Sequence, residues 1–436
     1  PRHPERPQPL RPARHGPSYP IPGNRYHSVV PPRPLLHVAD PSEWINDPNG
    51  LVRFGGRWHA FYQRGHPKAW GHAVSDDLEG VDIRPGALPA EDGEERWSGS
   101  CLSDGDDLLA YYTARTDACQ VQRRARSVDG GETWTTEPGV VLADPTEPDF
   151  RDPKVFVKGS FVMVLAVGRS LRTYVSDDGR EWTRWSDPEI ALPDGATGWE
   201  CPDLLQIPDD VHGSRWTMIA SLMDPTMFTP GRPLGTAGVV YAPGTFEERR
   251  FVAEGPVKAL AQGPDEYATI TFAEAGGRAI AMGWLANWAD HRRFPSETWK
   301  HVLTLPRELR YDREGELRQH FVPELDDAFG ADEPAWAGRF TSDGGTGSID
   351  WAGLARLDLE PGRWRLTVPD APVPVYEGRY DGGRVDAIHD TTSLEIVLDE
   401  RTVLATRIFP SEPIRPTVAK LAGRFAGRRR EPTSPA

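Results

Sequence analysis

Cysteine is almost missing from this chain: Cys101, Cys119 and Cys201 are the only three in 436 residues. Three scattered thiols exclude a disulfide framework, and none of them has the spacing of a zinc site. Long apolar runs are missing too. The longest clean one, Phe161–Val167, falls far short of the ~18 residues that a membrane-spanning helix needs, so no membrane partner is expected. Positive charge is in deficit, with a formal net charge of −15. A nucleic-acid partner would need a basic surface, and none is expected here. The basic cluster Arg428–Arg430 reads as part of a solvated end. There is no Gly-rich phosphate loop, no His-x-x-x-His and no Cys-x-x-Cys, so neither cofactor nor metal is expected. No charged-then-apolar signal segment opens the chain. The expected location is the cytoplasm, or outside the cell with a signal removed.

What the chain does have is punctuation. Its 43 glycines and 43 prolines are spread as a turn-rich β protein would need. At 38% hydrophobic residues there is apolar material for more than one core, and the length suggests two or three domains. Residues 1–34 hold eleven prolines and read as an extended or disordered arm. From 35 to 309 strand follows strand, and no segment keeps a helical period over a dozen residues. Leu51–Phe54 and Trp58–Gln63 form a hairpin around Gly55–Gly56. Val155–Val157 with Phe161–Val167, and Ala268–Phe272 with Ala279–Leu285, form two more. Residues 310–425 read as a separate β-sandwich, and 426–436 as a polar tail.

The informative repeat is one of position. Asp47-Pro48, Ser98-Gly99, Asp152-Pro153 and Glu200-Cys201-Pro202 each stand before strand-like text, at steps of 51, 54 and 48 residues. Tyr267 opens a fifth such place. Periods of ~40–50 residues with about four strands each are the mark of propeller blades. The expected fold is all-β: a five-bladed β-propeller followed by a small β-sandwich. Equivalent strand starts converge on the central channel of a propeller, so these residues would meet there. Ser127-Val-Asp-Gly-Gly-Glu-Thr-Trp134 and Ser176-Asp-Asp-Gly-Arg-Glu-Trp182 resemble Asp-box turns, and Ser75–Asp77 a degenerate third. All three are read as turn chemistry. A lone Asp-Pro is normally only a turn. Three acids at blade spacing point instead to two carboxylates flanking a glycosidic bond and a third holding the sugar.

The string Trp44-Ile-Asn-Asp-Pro-Asn-Gly50 resembles the signature of glycoside hydrolase family thirty-two, the invertases, levanases, inulinases and fructosyltransferases. The resemblance continues in order through Phe61-Tyr-Gln63, Trp70-Gly-His-Ala-Val-Ser75, Trp97-Ser-Gly-Ser100, Phe150-Arg-Asp-Pro153, Trp199-Glu-Cys-Pro-Asp203, Gly283-Trp-Leu-Ala-Asn-Trp288 and Leu305-Pro-Arg-Glu-Leu309. It closes with Ser393-Leu-Glu-Ile396 and Ala405-Thr-Arg-Ile-Phe-Pro410. It implies Asp47 as nucleophile, Asp152 as transition-state stabiliser and Glu200 as general acid and base. It further implies that Arg151 and Tyr267 tune that acid, with Cys201 either helping or merely filling space. Asn46, Gln63, Trp70, Trp97, Ser98 and Trp284 match positions that line the fructose pocket, the substrate being a fructoside.

Three departures stand out. Only six residues separate Gln63 from Trp70, where the family has a longer segment with a further tryptophan, so Trp70 fills one of two family roles. That shortened rim is expected to be open and polar. Asp265-Glu-Tyr-Ala268 replaces Asp-Phe-Tyr-Ala and places an extra carboxylate, Glu266, near the acid. Asp77-Leu-Glu-Gly80 replaces Asp-Leu-Val-His-Trp. Hydrolysis, fructosyl transfer and bare fructan binding by a propeller remain three readings, distinguished by what attacks the covalent intermediate and by the presence of all three acids. A sialidase would need an arginine cluster, and only Arg151 sits in a recognisable motif.

Overall fold

The computed structural model describes residues 32–428, except 92, 225–237, 248–249, 289–290, 292–293, 295, 297 and 372. The expected arm lies outside the described residues up to 31, and the expected tail from 429.

Two β modules follow one another. The first is an array of antiparallel meanders. One sheet holds β1 (Ile45–Phe54), β2 (Arg57–Arg64), β3 (Ala69–Ser75) and β4 (Asp82–Leu88). The next holds β5 (Glu95–Asp104), β6 (Asp107–Arg115), β7 (Gln120–Ser127) and β8 (Thr135–Thr136). The third holds β9 (Arg151–Lys158), β10 (Ser160–Val167), β11 (Ser170–Ser176) and β12 (Thr183–Arg184). Two further meanders share one nine-stranded sheet: β13 (Gly198–Asp209), β14 (Gly213–Met223), β15 (Gly238–Glu247), β16 (Arg250–Ala253) and β17 (Lys258–Ala259), then β18 (Tyr267–Thr271), β19 (Ala279–Trp284), β20 (Arg307–Tyr311) and β21 (Leu317–Phe321). They join where Asp209 at the end of β13 pairs in parallel with Tyr311 of β20. The architecture is that of a β-propeller, its strands packed on both faces. That packing explains why β3 and β19 are buried almost throughout and show no clean alternation.

Hairpins form where the glycines and hydrophobic runs place them. Gly55 and Gly56, at φ of 57° and 81°, turn β1 into β2, with Phe54 opposite Arg57. The two longer Asp-box turns are held as turns are: Ser127 Oγ accepts from Gly131 N–H at 2.8 Å, and Ser176 Oγ from Gly179 N–H at 2.8 Å. Trp134 and Trp182 pack edge-on against Phe61 and Tyr111.

The second module comprises β22 (Phe329–Ala331), β23 (Ala337–Ser342), β24 (Gly347–Trp351), β25 (Ala355–Glu360), β26 (Arg363–Thr367), β27 (Val375–Gly378), β28 (Val385–Asp390), β29 (Ser393–Leu398), β30 (Thr402–Arg407), β31 (Thr417–Ala419) and β32 (Arg424–Arg428). Six strands in the order β22-β32-β23-β28-β29-β30 face five in the order β27-β26-β25-β24-β31. Between them Trp351, Leu357, Trp364, Ile396 and Leu404 share one core, so the module is a sandwich. Val397 and Val403 on the other face of the six-stranded sheet pack with Leu303, Leu305 and Phe321 of the first module. Burial on both sides makes β28, β29 and β30 interior throughout.

Both expected inner boundaries fall inside strands. β20 spans position 309 and carries β21 with it, because Arg307 to Tyr311 pair in full register with Leu317 to Phe321. β32 spans position 425, with Phe425 and Gly427 facing inward. Arg428, read from the sequence as part of a solvated end, donates to the Leu35 carbonyl and lies 3.6 Å from Glu79.

Candidate active site

Five strands of the first module carry the same irregularity near their starts. In β1, Asn46 and Asp47 together face one residue of β2, Gln63. In β5, Trp97 and Ser98 face Thr113; in β9, Asp152 and Pro153 face Leu165. In β13, Cys201 and Pro202 face Ala220; in β18, Ala268 and Thr269 face Gly283. A two-for-one bulge bends the strand and re-aims the side chains around it. Asp152, Cys201 and Ala268 take positive φ of 62°, 46° and 54° to make it, a left-handed backbone that non-glycine residues rarely adopt. Gly99 closes the bulge of β5, where a Cβ would stand 2.0 Å from the Tyr111 carbonyl oxygen. The residues expected just before strands thus lie within their first turns of pleat, and all five strands line one small cavity. Its wall includes Pro48, Ser98, Asp152, Lys154, Cys201 and Ile270.

Above that cavity the three acids converge. Ser98 Oγ donates to Asp47 Oδ2 at 2.7 Å, and Asn46 Nδ2 to Asp47 Oδ1 at 2.9 Å. Gln63 holds both donors, donating to Ser98 Oγ at 2.7 Å and accepting from Asn46 at 3.0 Å. Asp152 Oδ2 accepts from the Cys201 backbone N–H at 2.9 Å. The Cys201 sulfur lies 3.7 Å from Asp47 Oδ2 and 3.6 Å from Asp152 Oδ2, so one thiol touches two of the acids. Burial and the surrounding carboxylates push that thiol well above its ordinary range, and it stays protonated as a donor. Glu200 Oε2 accepts from the Tyr267 hydroxyl at 2.6 Å. Its other oxygen lies 3.6 Å from the Arg151 guanidinium.

Burial is the largest influence on both Asp152 and Glu200, and it raises them. Asp152 is pushed up to about 7, with Arg151 opposing the rise and the charges of Glu200 and Asp47 adding to it. Glu200 is raised by burial and by Asp47, against Arg151, the Tyr267 hydrogen bond and Lys68. Acids this close titrate as a set, and the set keeps a proton that isolated carboxylates would lose.

The predicted contacts divide into those that reach the acids and those that support them. Asn46, Gln63, Ser98, Arg151 and Tyr267 bond the acids or each other as described. Trp97 lies alongside, its indole N–H on Glu95 at 2.9 Å, with Lys68, Arg115 and Arg151 at 5.1, 5.5 and 5.7 Å from its ring. Trp70 does not face the site. It is fully buried among Val52, Phe61 and Tyr112, and its indole N–H donates to the Trp97 carbonyl at 2.9 Å. It therefore supports the bulge of β5. Trp284 is likewise fully buried, edge-on to Trp44 at 6.2 Å and tilted on Trp288 at 4.8 Å. Glu266 is also redirected: its carboxylate pairs with Arg307 and accepts from Thr269.

Sequence reasoning passed over Glu95, Thr113, Asp149 and the pair Lys154–Asp203. Asp149 holds Arg151 at 2.7 Å, Thr113 Oγ1 accepts from Asp152 N–H at 2.8 Å, and Lys154 meets Asp203 at 2.8 Å beneath the acids. Asp149 and Glu95 each stand two residues before the group they hold. Period-two spacing along an extended chain, which sets i and i+2 on one face, was the available signal.

The family profile for the glycosyl hydrolases family 32 N-terminal domain matches residues 37–320. A levanase of Bacillus subtilis (strain 168) is 34% identical over 309 residues, 64% of this chain and 44% of the levanase. The raffinose invertase of Escherichia coli is 34% identical over 329 residues, 67% of this chain and 65% of the invertase. The chain thus spans less than half the length of that levanase. In fold it is similar to exo-inulinase from Aspergillus awamori, with TM-score 0.77 at 23% identity over 92% of this chain and 98% of that one. It is similar also to β-fructofuranosidase from Schwanniomyces occidentalis, with TM-score 0.78 at 22% identity over 92% and 97%.

Proposed function

We propose that this chain, which belongs to glycosyl hydrolases family 32, is a retaining β-fructosidase that hydrolyses terminal fructosyl linkages of sucrose or fructans. The observation that carries the reading is the convergence of three carboxylates from three bulged strands, two of them differently furnished. Asp47 accepts from two side-chain donors, whereas Glu200 is held between a hydroxyl and a guanidinium. These unlike surroundings support the reading of Glu200 as the acid and Asp47 as the nucleophile. The repeated bulge likewise supports a five-bladed division of the first module.

In this mechanism Glu200, kept protonated by burial, gives its proton to the glycosidic oxygen as the bond to the fructosyl C2 breaks. Asp47 attacks C2 and forms the covalent fructosyl-enzyme. Fructosyl hydroxyls donating to Asp152 favour its charged form, which leaves the shared proton on Glu200 and stabilises positive charge on the ring. Glu200, now a carboxylate, removes a proton from water, and the water oxygen displaces Asp47 from C2. Proton and charge return to their starting places. The bonds from Asn46 and Ser98 aim Asp47 at C2, so little reorganisation is needed at the moment of attack.

The test is a chromatographic product profile on sucrose, inulin and levan. The reading predicts free fructose from at least one of them, and turnover lower by several orders of magnitude in Asp47→Ala with the fold intact. Longer fructans as main products from sucrose would make it a transferase, and no cleavage of any fructoside would refute it.

A further inference from the structure

The segment that delivers Tyr267 to the site is gripped by the second module. Residues 260–266 run along β30, the end strand of the six-stranded sheet. Gln262 N–H donates to the Val403 carbonyl at 2.8 Å and Asp265 N–H to the Ala405 carbonyl at 3.0 Å. Gly263, between them, lies so close that a Cβ would stand 2.3 Å from Ala405 N. An edge strand that would otherwise offer unpaired backbone is covered in this way.

Side chains lock the same segment. Asp265 is 1% exposed. It accepts the Arg407 backbone N–H at 2.9 Å and the guanidinium at 2.8 and 3.1 Å. Asn287 adds a bond at 2.6 Å. The next residue, Glu266, pairs with Arg307, which reaches Glu395 of β29 at 3.2 Å. Tyr267 follows directly, and its hydroxyl meets Glu200 at 2.6 Å. Only one residue, Glu266, separates a two-pronged ion pair to the second module from the hydrogen bond on the acid.

We infer that Arg407 and Asp265 are positioning residues for Glu200: the second module fixes where the Tyr267 hydroxyl stands and hence how firmly it holds the acid. The inference rests on the reading of Glu200 as acid and base, and adds the sandwich to the machinery of the site. A hydrogen bond weakens steeply with misalignment, so a slack Asp265 loosens the Tyr267–Glu200 bond without touching substrate. Among the described residues, the charged and titratable groups facing Glu200 are Arg151 and Asp152 from β9, Asp47 from β1, Tyr267 from β18, Lys68 from the turn between β2 and β3, and the neighbouring Cys201 of β13. Arg407 is not one of them, and Arg407→Lys keeps the charge while losing the fork.

The test is the pH profile of kcat/KM on sucrose for the full-length wild type, Tyr267→Phe, Arg407→Lys and the double variant. Tyr267 stabilises the charged form of Glu200, so its loss moves the basic limb to higher pH. Arg407→Lys is expected to move that limb the same way, by about half a pH unit. Its kcat should fall about three- to tenfold with KM within about twofold of wild type. The double variant should coincide with Tyr267→Phe, because residues acting through one another do not add. A limb for Arg407→Lys that matches wild type, or that adds in full to the Tyr267→Phe shift, overturns the inference. Should Arg407→Lys fail to fold, Asp265→Asn, which keeps the shape and one acceptor, carries the same expectation. A wild type that cleaves no fructoside refutes the functional reading instead.

Discussion

Ser98 donates to Asp47 at 2.7 Å across a sequence gap of 51 residues. The gap is the spacing between successive bulged strands, so one hydrogen bond joins two sheets at the site. Ser98 in turn accepts from Gln63, and the orientation of the Asp47 carboxylate depends on both.

Ser98→Ala removes a charge-assisted bond worth about 1.5–3 kcal/mol. Turnover on sucrose is expected to fall roughly 10- to 100-fold, with the melting temperature little changed. Initial-rate kinetics beside thermal unfolding check this, and a kcat within twofold of wild type contradicts it.

Arg151 is the strongest of the groups that favour charged Glu200. In Arg151→Met that support is gone, the neutral form gains and the acid holds its proton longer. The basic limb of kcat/KM is expected to move to higher pH, further than in Tyr267→Phe. A limb that stays in place or moves down contradicts the assignment of Glu200.

Stability has its own pH dependence, set by the segment that enters the first module. His37 is fully buried, and burial alone would lower it. Its hydrogen bonds to Asp390 at 2.8 Å and Glu395 at 2.9 Å outweigh that and raise it to about 9. A raised histidine adds stability that is complete below its unfolded value of about 6.5 and is lost as pH climbs through its folded value. The melting temperature is therefore expected to decline between pH 6.5 and 9. In His37→Gln it should be lower at pH 6 and lack that part of the decline, which thermal unfolding at several pH values would reveal.

The rim of the site is cationic as well as short. Lys68 lies 5.1, 5.6 and 5.9 Å from the rings of Trp97, Trp288 and Trp44, within cation–π range of all three. Those faces are less free to stack on the glucosyl group of sucrose. Catalytic efficiency on a fructan trisaccharide is expected to equal or exceed that on sucrose. A tenfold preference for sucrose, about 1.4 kcal/mol of differential transition-state binding, contradicts this.

The placing of the acids was legible because their motifs join chemistry to spacing: Asp47, Ser98, Asp152 and Glu200 stand about 50 residues apart, and a bulge forms at or beside each. The full burial of Trp70 and Trp284 was not. Both sit in strands packed on both faces, where alternation vanishes and an aromatic that lines a pocket reads like one that fills a core. Position 309 falls inside β20 because Arg307 to Tyr311 pair along their length with Leu317 to Phe321. Glu266 was expected near the acid, but its partner Arg307 is 41 residues away, and pairing at that distance has no local signature.

The central claim is that Asp47 forms a bond to the fructosyl unit, and mass spectrometry tests it most directly. Glu200→Ala removes the base that activates water, so with a fructoside bearing a good leaving group the intermediate should accumulate. The account predicts a peptide containing Asp47 heavier by one fructosyl residue, absent in Asp47→Ala. An adduct on another residue, or near-normal turnover by Asp47→Ala, would contradict it.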